Sequence, residues 1–417
     1  MKKDDMRCRG ARDFLPGDMQ RFRTIESTFI NTCKNWGYEE VRTPTLEYLH
    51  LFTSAGTLTS KMLNNVYSFL DWDGWSGERV VLRPDGTIPV VRLFMENLQA
   101  RTIARLFYVT NVFSFESTGK ENRERWQCGV EYLGNAGTEA EIELIMLARD
   151  ALERTCVGDI KLSVSHSGLL KALLDTLELE MDDYSSLINS IKAVKWGQLG
   201  KTKGERDNGI ELVNMLLTVK GKSSGYLDNI KSVAGSFSSK VESAINDFSV
   251  ATGALDALKC EYEIDITTTN NFEYYTGLCF KFFNSENQTI CSGGRYNDLL
   301  PLMGGRDIPA CGFAIYMDPI LDTLAMEQAG GQGTSIVVRC PLSSPVMITN
   351  GYRLVSMLHS NGFNTTIDFE GKPDSCRYSV EPSNKISQRY LLKDLERNKV
   401  YECMTARKII DILRAEG

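Results

Sequence analysis

In the stretch GDMQRFRTIESTFINTCKNWG, apolar residues recur as Phe22, Ile25, Phe29, Cys33 and Trp36, three or four positions apart. That period predicts an amphipathic helix with one buried face. Asp18 is placed to cap its start and Gly37 to end it. The pattern then shortens. YEEVRTP reads as a strand stopped at Pro44, and ERVVLRPDGT as a strand running into a turn. RLFYVTNVFSFE and RWQCGVEYLG predict two more strands, joined by the polar hairpin segment STGKENRER at 117–125. The helical period returns in TEAEIELIMLARDAL, where Thr138 and Glu141 have capping-box spacing.

Residues 160–258 change character: Leu, Ser and Lys fall in helical patterns with few aromatics, as in an inserted helical subdomain. Strand patterns resume at EYEIDITTT, LCFKFF and QTICSGGRY, and PACGFAIYMDPILDTLAM reads as strand into helix. QAGGQGTS, at 328–335, has linker composition. Beyond it SIVVR, NGYRLVSMLHSNG, NTTIDFE and TARKIIDILRAEG predict strand, helix, strand and helix, a small α/β domain.

Bulk properties narrow the class. A chain of 417 residues is long for one domain, and its 42% hydrophobic and 24% charged residues fit an ordinary globular protein with large cores. The net charge of −7 argues against a broad nucleic-acid-binding surface. No apolar run approaches the roughly 20 residues that span a bilayer, and the charged start MKKDDMRCRGARDF has no signal-peptide core, so no membrane association and a cytoplasmic location are expected. The eleven cysteines show no CxxC spacing, and His50, His166 and His359 lie in no ligand pattern with them. Reduced packing thiols are expected, with no metal site and no cofactor.

Candidate chemistry is spread along the strands. In NNFEYYTG, Glu273 and Tyr275 face one way and Tyr274 the other; alone, such tyrosines read as packing groups. Asp85 and Thr87 lie in the turn of LRPDGT, where Asp-Gly is common turn chemistry. Gln127 and Glu131 are four apart on one strand face, costly in a core unless partnered, which raises a polar pocket as an alternative to packing. The two glycines of SGGRYND, 292–298, suit either a strand bulge or close approach of a ligand.

Taken in order, GYEEVRTPTLE, LRPDGT, RLFYVTNVF, QCGVE, EYYTG, GGRYND and GFAIYMD resemble the histidyl-tRNA synthetase superfamily of class II folds, over about residues 8–325. The resemblance implies an α+β fold: a class II aminoacyl-tRNA synthetase-like antiparallel sheet flanked by helices. It assigns 1–159 and 259–327 to a histidine-binding domain, 160–258 to a helical insertion, and 334–417 to a degenerate anticodon-binding-like α/β domain, echoed in LHSNGFNTTIDFEGK. By position, Asp85, Thr87 and Gln127 would hold the amino and carboxylate groups of histidine. Glu131 and Tyr274 would face the imidazole, and Tyr275 would help close the pocket.

The departures matter as much. Ser114, Asn270 and Pro319 stand where synthetases of the family carry the arginines that handle ATP, and Tyr316 replaces a glycine that leaves room for the nucleotide. Losing one such donor typically costs ~10²–10³ in rate. Arg123 and Arg125 are near enough in sequence to meet a phosphate, although solvation alone explains that loop. The pattern is similar to the regulatory subunits of ATP phosphoribosyltransferase within the superfamily. That likeness implies a non-catalytic homodimer within a hetero-oligomer with short-form ATP phosphoribosyltransferase catalytic subunits, and L-histidine as effector. A divergent histidyl-tRNA synthetase and a free-standing histidine sensor remain the alternatives.

Overall fold

The first helical period becomes α1 (Pro16–Asn35) in the computed structural model. The structure describes residues 6–55, 62–71, 77–115, 122–135, 137–155, 158–175, 220–221, 225–234, 238–266, 275–324, 336–341, 344–369, 376–383 and 389–416. Pro16 opens α1, so Asp18 lies inside its first turn and accepts the Leu15 N–H at 3.1 Å. Gly37, at φ +81°, turns the chain out as expected. Then follow β1 (Glu39–Glu40), β2 (Leu46–Tyr48), α2 (Leu49–Ser54), β3 (Ser68–Leu70), β4 (Arg79–Leu82) and α3 (Thr87–Asn97). After them come β5 (Ala104–Phe113), β6 (Glu124–Leu133), α4 (Thr138–Arg154), β7 (Lys161–His166) and α5 (Ser167–Asp175). The first unit ends with α6 (Gly225–Ala234), α7 (Ser239–Ala257), β8 (Glu263–Ile264), β9 (Leu278–Phe283), β10 (Thr289–Arg295), α8 (Leu299–Leu302), β11 (Ala310–Tyr316) and α9 (Met317–Thr323).

Eight strands form the main sheet in the order β1-β5-β6-β11-β10-β9-β7-β8. The outermost pairs, β1 with β5 and β7 with β8, are parallel, and every pairing between them is antiparallel. This is an antiparallel α+β sheet flanked by helices. Lys161–His166, inside the stretch with insertion-like composition, pairs within this sheet. Residues 176–219 of that stretch lie outside the described residues.

The register gives the sheet two unlike faces. One carries Phe107, Val130, Phe313, Phe280 and Val164, and packs on Phe22, Ile25 and Phe29 of α1, Leu144 and Ala148 of α4, and Ile245 and Phe248 of α7. The other carries Tyr108, Thr110, Gln127, Gly129, Glu131, Gly312, Ala314, Tyr316, Gly294, Ser292, Cys279, Lys281, Ser163 and Ser165. A sheet buried on both faces would ordinarily be apolar on both. Here one face is built of small and polar groups, and its β5–β6 end is closed by a second core containing Phe52, Ile88, Val91, Phe94, Leu106, Tyr296 and Leu300.

The expected capping box at Thr138 does not form. Gly137 occupies the cap position, and Glu141 turns to the buried Arg295 guanidinium at 2.7 Å.

Met326–Gly417 forms a second compact unit. Its sheet runs β13-β12-β14-β15-β16, from β12 (Ile336–Arg339), β13 (Thr365–Asp368), β14 (Tyr378–Pro382), β15 (Tyr390–Asp394) and β16 (Lys399–Cys403). Two helices, α10 (Pro345–Ser360) and α11 (Ala406–Glu416), bury Leu354, Leu358, Ile409 and Leu413 against Val338, Tyr378, Val380 and Leu392. The expected strand–helix–strand–helix frame is present, with an antiparallel β14–β15–β16 meander added before the last helix.

Candidate functional site

The polar face is approached at its closed end by the turn between β4 and α3. Arg83 holds that turn in place. Its guanidinium donates to Asn111 O at 2.8 Å, Asn111 Oδ1 at 2.7 Å, Thr43 O at 2.9 Å and Pro44 O at 2.8 Å, tying the turn to β5 and to the segment after β1. Gly86 follows under the side chains of Tyr108 and Gln127. A Cβ there would lie 2.4 Å from the tyrosine ring and 2.6 Å from the carboxamide nitrogen, so the turn approaches the sheet only because it has none.

Asp85 accepts the backbone N–H of Ile88 at 2.8 Å and is also bonded by that of Thr87, so it fixes the start of α3. Burial nevertheless pushes its carboxyl above the ordinary range, against those two bonds. Thr87, the first residue of α3, points its hydroxyl at Tyr108 and Glu131.

Glu131 is the centre of the arrangement. It is 1% exposed and accepts from the Tyr108 hydroxyl at 3.2 Å, from the Tyr296 hydroxyl and from Thr87. Burial pushes its carboxyl up to about 8; the three hydroxyls oppose that shift and Asp85 adds to it. Its side chain lies over Gly312 of the neighbouring strand, where a Cβ would stand 2.0 Å from Oε2. Gln127, two places along the same face, is 7% exposed and lies opposite Tyr316.

Tyr275 enters from the segment before β9. Its ring lies over Gly294, and burial raises its phenol, helped by nearby Tyr316, Glu131 and Asp85. Asp85, Thr87, Gln127, Glu131 and Tyr275 therefore converge on one end of the polar face. Tyr274 and Asn270 lie outside the described residues. Sequence reasoning missed Tyr108 and Tyr296, the two hydroxyls on Glu131. Tyr296 sat inside the noted GGRY segment. Tyr108 could be found only from the register, which sets it opposite Gly129 so that its ring covers the glycine.

The positions expected to have lost arginines carry no charge. Ser114 donates its backbone N–H to Arg123 O at 2.9 Å, and Pro319 lies in α9. The Tyr316 hydroxyl is 2.5 Å from Ser292 Oγ, which holds its ring on the polar face. Arg123 stacks over Phe115 at 4.9 Å, and Arg125 is exposed, its charge acting on Tyr316 and Asp318. The chemistry on offer is recognition by acceptors and hydroxyls. Two carboxyls and several hydroxyls suit a small ligand bearing an amino group and ring N–H donors. Among the described residues no cluster of potential metal ligands occurs, and no described helix is long and apolar enough to cross a membrane.

Comparison with known proteins agrees with this fold. Residues 10–320 match the family model described as histidyl-tRNA synthetase. A protein of Dehalococcoides mccartyi (strain 195) named ATP phosphoribosyltransferase regulatory subunit is 41% identical, covering 98% of both chains. A histidine–tRNA ligase of Methanosarcina acetivorans is 30% identical over 94% of this chain and 92% of its own. The structure titled as an ATP phosphoribosyltransferase regulatory subunit/histidyl-tRNA synthetase from Bacillus halodurans superposes with a TM-score of 0.76 at 24% identity, covering 90% of this chain and 96% of that one. The histidyl-tRNA synthetase of Nostoc sp. PCC 7120 superposes with a TM-score of 0.78 at 17% identity over the full length of both. At those identities the structures establish the fold.

Proposed function

The chain belongs to the ATP phosphoribosyltransferase regulatory subunits of the histidyl-tRNA synthetase family, and on that premise we propose that it is a non-catalytic subunit. It activates short-form ATP phosphoribosyltransferase catalytic chains and transmits feedback inhibition by L-histidine, at the first step of histidine biosynthesis. One observation carries this reading. A buried cluster of carboxyl and hydroxyl groups surrounds Glu131, while uncharged Ser114 and Pro319 stand where the resemblance puts arginines that handle ATP. A regulator needs a ligand pocket; a synthetase also needs charge on the ATP phosphates, where charge develops in the transition state.

In the proposed complex Asp85 takes the amino group, Thr87 and Gln127 the carboxylate, and Glu131 with Tyr274 the imidazole. Tyr275 covers the ligand. Histidine acts on the partner only through a difference in its affinity for the active and inactive assemblies. A coupling of about 1–3 kcal/mol corresponds to roughly 5–150-fold inhibition. The test is phosphoribosyl-ATP formation by a reconstituted complex across a histidine titration. Activation by the wild-type protein, reversed by histidine, is expected, and Tyr275→Ala should blunt the histidine response while sparing activation. Absence of both effects with the cognate catalytic chain would overturn the proposal.

The 30% identity to a histidine–tRNA ligase favours a second reading, a divergent synthetase. Histidine-dependent ATP–pyrophosphate exchange separates the two. None above background is expected, because the Tyr316 ring, bonded to Ser292, occupies the floor on which a nucleotide would lie.

A further inference from the structure

Lys281 lies on the polar face away from the Glu131 end, and nothing derived so far uses it. On β9 it stands directly between two serines: Ser163 opposes it on β7, and Ser292 opposes it on β10. Directly opposed residues point to the same side of a sheet. The face thus carries a Ser163–Lys281–Ser292 row across three adjacent strands. Lys281 is 8% exposed, and among the described residues no carboxylate lies within ion-pair distance of its ammonium.

Among the described residues, the carboxylate whose charge acts on it, Asp265, is already paired. Asp265, on the same side of the sheet, pairs with Lys220 at 2.8 Å, and Lys220 also meets Glu263 at 2.9 Å. Cys279, two residues before Lys281 on the same face, is a neutral thiol, pushed up to about 12 by burial. The next floor position beyond Ser292 is Ala314, which carries only a methyl, and the Gly129 that follows it lies under the Tyr108 ring. A buried ammonium costs free energy unless an anion meets it. Burial pushes this one down to about 8, with Asp265 only partly opposing the shift.

We propose that the Ser163–Lys281–Ser292 row is a second ligand subsite, which takes a small oxyanion, a phosphoryl or carboxylate group, on the Lys281 ammonium between two serine hydroxyls. The subsite is separate from the Glu131 pocket. Lys281 on β9 stands three strand steps from Glu131 on β6, about 14 Å at about 4.8 Å per step, so a histidine held by Glu131 does not reach its ammonium, although the Ser292 side of the row comes within two steps of β6. The bound anion meets an ammonium from one strand and hydroxyls from its two neighbours, with the Tyr316 hydroxyl, 2.5 Å from Ser292 Oγ, at its rim. The inference does not depend on which amino acid the other pocket holds.

The experiment uses the full chain in a buffer of low ionic strength free of other oxyanions. Inorganic phosphate and, separately, acetate are titrated by calorimetry into the wild type, Lys281→Met and Lys281→Arg. Saturable binding to the wild type, weakened at least tenfold in Lys281→Met and largely kept in Lys281→Arg, is expected. Histidine affinity should be unchanged in all three. Saturation by phosphate alone assigns a phosphoryl-bearing ligand; saturation by both assigns a site for either oxyanion. A variant-free measurement guards against misfolding of Lys281→Met: trace acetylation of Lys281 in the wild type, read by peptide mass spectrometry, should slow at least fivefold under saturating anion. No saturable binding by either anion, identical isotherms for wild type and a folded Lys281→Met, or an acetylation rate indifferent to both anions would overturn the assignment.

Discussion

His166 Nε2 lies 3.1 Å from Asp247 Oδ2, while Nδ1 of the same ring accepts the backbone N–H of Leu169 at 3.1 Å. An accepting Nδ1 leaves the proton on Nε2, which donates to Asp247. The next residue, Ser167, donates its hydroxyl to Tyr275 O at 2.8 Å and its backbone N–H to Gly277 O at 2.9 Å. Asp247 of α7 is thereby joined to the backbone of a pocket tyrosine through two consecutive residues. Cutting the outer bond is expected to loosen Tyr275. Asp247→Leu should weaken histidine binding about two- to tenfold, the equivalent of one hydrogen bond of about 0.5–1.5 kcal/mol. Asp247→Asn, which keeps an accepting oxygen, should stay within twofold. Calorimetric titration of both variants makes the comparison, and equal affinity in Asp247→Leu would confine the link to a structural role.

Glu131→Ala removes the proposed imidazole acceptor. In a titration at about pH 9, where Glu131 is ionised, the lost bond is charge-assisted and worth about 1.5–3 kcal/mol, so affinity for histidine should fall roughly ten- to hundredfold. Unchanged affinity would move the histidine site elsewhere on the protein.

The raised pKa of Glu131 also makes a statement about stability. Between the ordinary value of 4.5 and about 8 the folded protein keeps a proton that the unfolded chain has lost. Stability therefore declines as pH rises through that window. Glu131→Gln removes the ionisation and retains an accepting oxygen. Its melting temperature relative to wild type should rise on going from about pH 5 to about pH 8.5. A difference that stays flat across that range would mean Glu131 ionises freely in the fold.

Gly312→Ala tests the space under Glu131. The added methyl would stand 2.0 Å from Glu131 Oε2 and 2.5 Å from the Val130 carbonyl, so a backbone atom as well as a side chain must give way. Overpacking of this kind costs about 1–3 kcal/mol. A lower melting temperature together with loss of histidine binding is expected. Retention of both, measured by scanning calorimetry and titration, would show that the sheet relaxes at that point.

Much of this fold could be read from the chain because its helices and main strands keep their period. Phe22, Ile25, Phe29 and Cys33 all face the core, as their spacing predicts. Gln127 and Glu131 do share a face, and that face is polar. Other features depended on distant partners. No element is read over TIPVV from its sequence, yet Pro89 sits in the first turn of α3, where proline is tolerated. The segment KLSVSH alternates Leu162, Ser163, Val164 and Ser165 as a strand does, but the run is short and sits at the head of a stretch, 160–258, whose composition reads as helical. Thr138 and Glu141 had the spacing of a local cap, but Arg295, far along the chain, claims the glutamate. Tyr108 and Tyr296 join Glu131 only once three separate segments are brought together.

Three glycines of the polar face share a geometry with a consequence for selectivity. The Tyr108 ring covers Gly129, the Tyr275 ring covers Gly294, and the Glu131 carboxylate covers Gly312. Each of these groups lies down across a strand instead of standing upright from it. The headroom of the chamber is therefore set by hydrogen atoms on the glycines, and the polar groups decide only which atoms are welcomed inside. One methyl on any of these three positions would raise the floor by a carbon's thickness and leave every donor and acceptor in the sequence unaltered. Related chains can thus come to prefer thinner or thicker guests through substitutions that no inventory of polar residues would flag.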